Sequence, residues 1–234
     1  MNRPVGLGLV GIVGLAVGCG GDLDPPWQLD HDRIVAVRAS RPSVVAGARS
    51  ELDGLLAFKG AKTVEQVPEG VVVVSPQSLA GAVTQDLGQW IVTAPDEPTL
   101  AAARSELGLP ADSPVPLQLG VSYADQTLVA LKTIRLGTAA DNPTLAAPVI
   151  GGAPAPATDI VILVGKLVDV PLAIEVAETD EVTWLTSCGT LHDFDLPEAY
   201  LRVEPDDPTE GELALVVRDD HGGVTWRVWQ IRAE

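Results

Sequence analysis

The chain has 234 residues, 46% of them hydrophobic and 20% charged, with 32 acidic side chains against 15 Lys and Arg and a formal net charge of −17. That length suits one large or two ordinary domains, each able to bury a core without metals or disulfides, and the composition sets aside a disordered chain. The acidity is spread along the sequence, which argues against nucleic acid and anionic membrane faces as partners. It reads as a solubility surface, with divalent cations or a basic partner as the functional alternative.

The first nineteen residues, MNRPVGLGLVGIVGLAVGC, open with Arg3 and continue through a thirteen-residue apolar run, Val5 to Val17. A spanning helix needs about 20 apolar residues, so the run has the proportions of a signal peptide instead. Its end, Ala16-Val17-Gly18-Cys19, resembles the bacterial lipobox. The resemblance implies a signal peptide over 1–18, a diacylglycerol thioether on Cys19, and a membrane held through N-terminal acyl chains. Gly20, where an Asp would favour inner-membrane retention, implies the outer membrane. The alternative is an ordinary secreted protein in which Cys19 is incidental. Cys19 and Cys188 are the only cysteines. With Cys19 acylated, Cys188 has no partner in the chain and reads as a small buried residue rather than a nucleophile.

Residues 19–32 form a short polar tether containing Pro25-Pro26. Short β-like runs follow at Ile34–Ala39, Glu51–Phe58, Val71–Val74 and Trp90–Thr93. Val115–Tyr123 alternates apolar and polar residues, and Thr127–Leu136 pairs with it across Ala124-Asp125-Gln126. One helix of about ten residues starts at Asp96-Glu97-Pro98 and stops at Gly108 and Pro110, which makes it a crossover between sheets. The segment 141–158, rich in Pro, Gly and Ala, separates a domain over 33–140 from one over 159–234 and has room for a first edge strand. The second domain carries runs at Ile160–Val164, Leu167–Val176, Glu181–Ser187, Ala199–Val203, Glu212–Arg218 and Val224–Arg232. The last two flank the hairpin loop Asp219-Asp220-His221-Gly222-Gly223.

The second unit resembles an immunoglobulin-like or PKD-like sandwich of bacterial surface lipoproteins. The residues behind this are Val182-Thr183-Trp184-Leu185-Thr186-Ser187, then Gly211 to Asp219, then Gly222-Gly223-Val224-Thr225-Trp226. The opening of the first unit, Ile34 to Ala39, resembles the N-terminal module of the same lipoproteins. The fold class implied is all-β: two tandem immunoglobulin-like β-sandwiches with one short crossover helix behind a lipoprotein signal peptide. Architecture of this kind does not itself imply an activity.

Three constellations bear on function. Asp193 and Asp195, beside His192, and Asp219 and Asp220, beside His221, are calcium candidates if the two loops converge, as is a further loop with Glu204, Asp206 and Asp207. Against this, the calcium-loop spacing with its twelfth-position Glu is missing, and Asp and Gly are ordinary hairpin residues. Ser, His and Asp occur without a G-x-S-x-G elbow or a phosphate-cradling loop, so no catalytic residue and no cofactor is assigned. Alternation places Val224, Trp226 and Val228 on one face of the last strand, with Trp229 and Ile231 on the other. One of these aromatics is therefore exposed, covered by another element or shifted by a bulge, and Trp229 is the candidate surface contact. The plainer alternative has Trp184 and Trp226 in the core and Trp229 against the neighbouring domain. The expected role is a non-catalytic cell-envelope lipoprotein for binding, adhesion or structural support. The alternative is an accessory subunit of an envelope secretion or assembly complex, with an envelope protein as partner through an exposed strand edge.

Overall fold

The computed structural model describes residues 25–234. In the first domain the strands are β1 (Arg33–Ala39), β2 (Ser43–Val44), β3 (Arg49–Ala57), β4 (Val64–Gln66), β5 (Gly70–Ser75), β6 (Val83–Asp86), β7 (Gln89–Thr93), β8 (Val115–Tyr123) and β9 (Leu128–Leu136). β8 buries Val115, Leu117, Leu119, Val121 and Tyr123 and turns the alternate residues away, as a half-buried strand must. One sheet runs β1-β3-β7-β6, with β4 added on β3; the other runs β2-β9-β8-β5. The helix α1 (Glu97–Leu107) carries the chain from the first sheet to the second. The Asp96 side chain accepts the Thr99 N–H at its start, and Gly108 closes it in the left-handed conformation. Leu100 and Ala103 face the core.

The second domain comprises β10 (Val149–Ile150), β11 (Ala153–Pro154), β12 (Ile162–Val164), β13 (Asp169–Ala173), β14 (Glu181–Thr186), β15 (Thr190–His192), β16 (Glu198–Arg202), β17 (Glu210–Arg218) and β18 (Val224–Ala233). Its sheets run β11-β10-β13-β16-β15 and β12-β18-β17-β14. Both domains repeat one scheme. Their first sheets take the order A-B-E-D of an immunoglobulin domain and their second sheets pair the C, F and G strands. In each, a short early strand crosses over to lie parallel to the last one: β2 on β9, and β12 on β18. The fold is thus all-β, two immunoglobulin-like sandwiches in tandem.

Each sandwich has its own core, and a third apolar cluster joins them. Leu29, Val35, Ala36, Leu55 and Ala57 pack against Leu185, Ala214, Val216, Val224 and Trp226. The β18-β17-β14 part of the second sheet is therefore buried on both faces. Residues Trp229, Ile231 and Ala233 point into the second core, while Val224 and Trp226 point into the first domain. Polar contacts fasten the same seam. Trp226 Nε1 donates to Glu65 Oε1 at 2.7 Å, Arg218 to the Val35 carbonyl at 2.8 Å, and Lys132 Nζ to the Gly222 carbonyl at 2.6 Å. The Arg38 guanidinium stacks 3.9 Å above the Trp226 ring.

Two expected connectors belong to the folded body. The segment 141–158 contains β10 and β11, which pair into the second domain's first sheet. Asn142 in the same segment donates to the Ala39 and Ser40 carbonyls and accepts the Val224 N–H, so it bridges the domains. In the tether, Trp27 to Leu29 lies along the edge of β14. Thr186 N–H donates to the Trp27 carbonyl and Leu29 N–H to the Thr186 carbonyl, both at 2.9 Å. The backbone of this piece finds its partners there and Leu29 is buried in the interdomain cluster.

Candidate functional site

The outer face of β5, β8 and β9 carries an apolar patch. Val72, Val74, Val129 and Leu131 are 64%, 44%, 72% and 73% exposed. Register sets Val72 opposite Gly120, and Gly120 opposite Leu131, so the glycine floors a trough between two apolar walls. A Cβ on Gly120 would sit 3.0 Å from a Val72 methyl. The trough encloses about 740 Å³ and reaches Trp90 and Gln126 at its margins. Single exposed apolar residues are ordinary, but a contiguous group on one sheet face marks an interaction surface.

Beside it, across β9, lies a cleft of about 600 Å³ between the domains. Its walls are Ile34 to Val37 of β1, Leu128 to Thr133 of β9, and Asp219 to Val224 of the second domain. Between trough and cleft runs the edge of β9. β9 pairs with β8 along its whole length but with β2 only at Arg135 and Leu136. From Leu128 to Ile134 its outer backbone groups have no backbone partner among the described residues. Lys132 is the one charged residue in that stretch, and it is buried with its ammonium on the Gly222 carbonyl. Burial holds that ammonium down to about 8, with Asp219 raising it part of the way back.

Cys19 lies outside the described residues. Trp229 is fully buried in the second core, with Nε1 donating to the Pro156 carbonyl at 3.0 Å. Its expected role as a surface contact is therefore corrected. The aromatic that meets the neighbouring domain is Trp226, because the first domain covers that face of the sheet. Trp184 fills the second core, as expected.

Among the described residues, Asp219, Asp220 and His221 form a cluster whose ligand atoms all lie within 4.8 Å, and Asp193 and Asp195 are not part of it. The Asp219 Oδ1 accepts the N–H groups of His221 and Gly223, at 2.8 and 2.6 Å, which is the work of a hairpin loop. Asp220 pairs with the His221 ring. His192 stacks on Tyr200 with ring centroids 4.4 Å apart. In the loop after β16, Glu204 accepts from Arg202 and its N–H donates to Asp207. Cys188 is fully buried and lies 2.8 Å from the Pro208 carbonyl, its thiol pushed up first by burial and then by Asp207. A thiol so placed is a packing residue.

The trough and the edge were not singled out from sequence, although their signal is there. In Leu128-Val129-Ala130-Leu131 the residues on both faces are apolar, where a half-buried strand would alternate.

Among the described residues, no helix is long and apolar enough to cross a membrane. No family model and no curated relative matches the chain. It is similar to a nucleoside hydrolase-related hypothetical protein from Saccharophagus degradans associated with carbohydrate metabolism, at 12% identity over 41% of this chain and 26% of that one, with a TM-score of 0.32. It is similar to the two tandem V-type regions of a v-region-containing chitin binding protein, at 11% identity over 85% of this chain and 99% of that one, TM-score 0.33. A third likeness is to invasin, a bacterial integrin-binding protein, at 12% identity over 83% of this chain and 38% of that one, TM-score 0.30. The chain thus covers less than two thirds of the first and third of these. Likenesses this low say nothing of ligand or activity; the immunoglobulin-like architecture follows from the strand order itself.

Proposed function

We propose that the protein is a non-catalytic lipoprotein of the outer membrane, acylated at Cys19, that presents a rigid pair of sandwiches for binding. The observation that carries this reading is the run Val5 to Gly18 ending at Cys19, set close to a segment that is already part of the body. From Gly20 to Pro26 the chain has seven residues before Trp27 docks on β14. Seven residues span about 25 Å at most, so an acyl anchor at Cys19 keeps the body near its bilayer. The third apolar cluster supports rigidity, since it fastens the two domains by a shared core rather than a loose linker.

The test is intact-mass analysis of protein purified from its native envelope, with membrane fractionation of wild type and C19S. Wild type is expected in the membrane fraction with the mass of an acylated Cys19, and C19S in the soluble fraction. An unmodified Cys19 in mature protein sinks the anchor. A second reading, an accessory subunit of an envelope secretion or assembly complex, is supported by the exposed apolar trough on the first domain.

A further inference from the structure

Building on the binding role proposed above, we propose that the free edge of β9, from Leu128 to Ile134, is a strand-addition site. Its ligand is an extended segment of a partner polypeptide with alternating apolar residues and flanking basic residues.

The backbone supplies the first reason. Proteins protect free edges with charges, prolines or covering elements. Here the stretch holds no proline, and its one charge, Lys132, is turned inward and buried. Register with β2 turns the N–H and C=O groups of Val129, Leu131 and Thr133 to this edge, about 20 Å of strand in all, and among the described residues they have no backbone partner, with Gly222 packed beside the Thr133 carbonyl at one end. The chain already shows that such an edge takes backbone from elsewhere: on the open side of β14 a single bridge at Gln28 lets the Trp27 carbonyl and the Leu29 N–H bond Thr186.

The side-chain environment supplies the second. An added strand points its residues alternately to the two faces of the sheet. On one face they would meet Val129 and Leu131 at the lip of the trough. On the other they would enter the cleft toward Ile34 and Val37. A lipid or small apolar ligand fills either space but leaves the backbone row unpaired. A polypeptide strand satisfies both.

Charge complementarity decides the occupant. Glu181, Asp219 and Asp220 line the cleft, and Asp125 sits in the turn before β9. Lys132 and Arg218 line the cleft too, bonded to the Gly222 and Val35 carbonyls, so the cleft itself carries a small negative excess and the wider acidic surface, −17 over the chain, supplies the rest. A second copy brings the same acidic surface, −17 against −17. The exposed apolar patch is on the order of a few hundred Å², well short of the roughly 800 Å² that each partner buries in a stable interface. A basic-flanked strand gains backbone bonds that the patch alone does not give.

The test titrates the full-length protein with a fluorescein-labelled heptapeptide of alternating valine and threonine, with lysine at both ends. Saturable binding is expected, with slowed amide exchange at 128–134. N-methylation of two consecutive amides, which blocks both edges of the peptide, is expected to weaken binding at least tenfold. V129K is expected to weaken it about tenfold, and V161K, at an exposed site in the second domain, to leave it unchanged. Absence of binding, equal binding of the N-methylated peptide, protection confined to other residues, or a dimer of this chain that displaces the peptide each overturns the proposal. The intact mass of the same sample reports on Cys19 separately. Unacylated protein that binds the peptide removes the anchor and leaves the edge standing.

Discussion

Replacing Trp226 by Ala tests whether the two sandwiches unfold as one unit. Trp226 is 6% exposed and lies in the cluster between the domains, bonded to Glu65 and covered by Arg38. Truncating a buried Trp to Ala costs about 3–5 kcal/mol. The bond to a charged acceptor, about 1.5–3 kcal/mol, and the guanidinium stack, about 0.5–2 kcal/mol, fall within that loss, because one side chain makes all three contacts. The free energy comes out of the seam rather than either core, since Trp184 and Trp229 remain buried in the second domain. Wild type is therefore expected to give one cooperative transition in calorimetry and in urea followed by two probes. W226A is expected to give two separated transitions and to lose about 3–5 kcal/mol from the less stable one. W226F keeps most of the buried ring and forfeits the Nε1 bond to an exposed carboxylate, so about 1–2 kcal/mol is expected. A single transition for W226A with a loss under about 1 kcal/mol would refute the picture of a shared interdomain core.

Three other outcomes are expected. A Cβ on Gly54 would lie 2.4 Å from the Tyr123 hydroxyl, so G54A should destabilise by about 1–3 kcal/mol. Y123F should be neutral or stabilising, since that buried hydroxyl has no hydrogen-bond partner among the described residues, and it should partly rescue G54A in urea melts; a strongly destabilised Y123F contradicts this. Lys132, held at about 8 against an ordinary 10.5, leaves the unfolded chain binding more protons between those values. Stability should then rise as pH climbs from about 8; K132M should lack that rise, and matching pH profiles for both proteins would count against it. The Cys188 thiol, buried against Pro208, should react with a disulfide reagent only at the rate of unfolding. Rapid labelling of native protein would show an accessible sulfur.

Much of the strand map was legible from alternation. Val115–Tyr123 reads directly as a strand because one face is filled with apolar side chains, and Val224–Arg232 because β-branched and aromatic residues recur at alternate positions on each of its faces. α1 was bracketed by its own chemistry, a carboxylate at the start and a glycine at the end. Short pieces escaped: β2 and β15 hold two and three residues, too few to show a period, and exist because a neighbouring strand supplies their hydrogen bonds.

The sequence by itself determined that alternation sets Trp226 and Trp229 on opposite sides of a regular last strand, and that residues 25–234 hold one cysteine, Cys188. Only the tertiary structure decided that the first domain covers Trp226, that Trp229 is core, and that β9 has an open edge beside an apolar trough. The physical reason is that side-chain periodicity is a local property, fixed by how a strand's own backbone alternates. What covers a face or completes an edge depends on residues about 70 to 180 positions away, brought alongside only when both sandwiches close and dock.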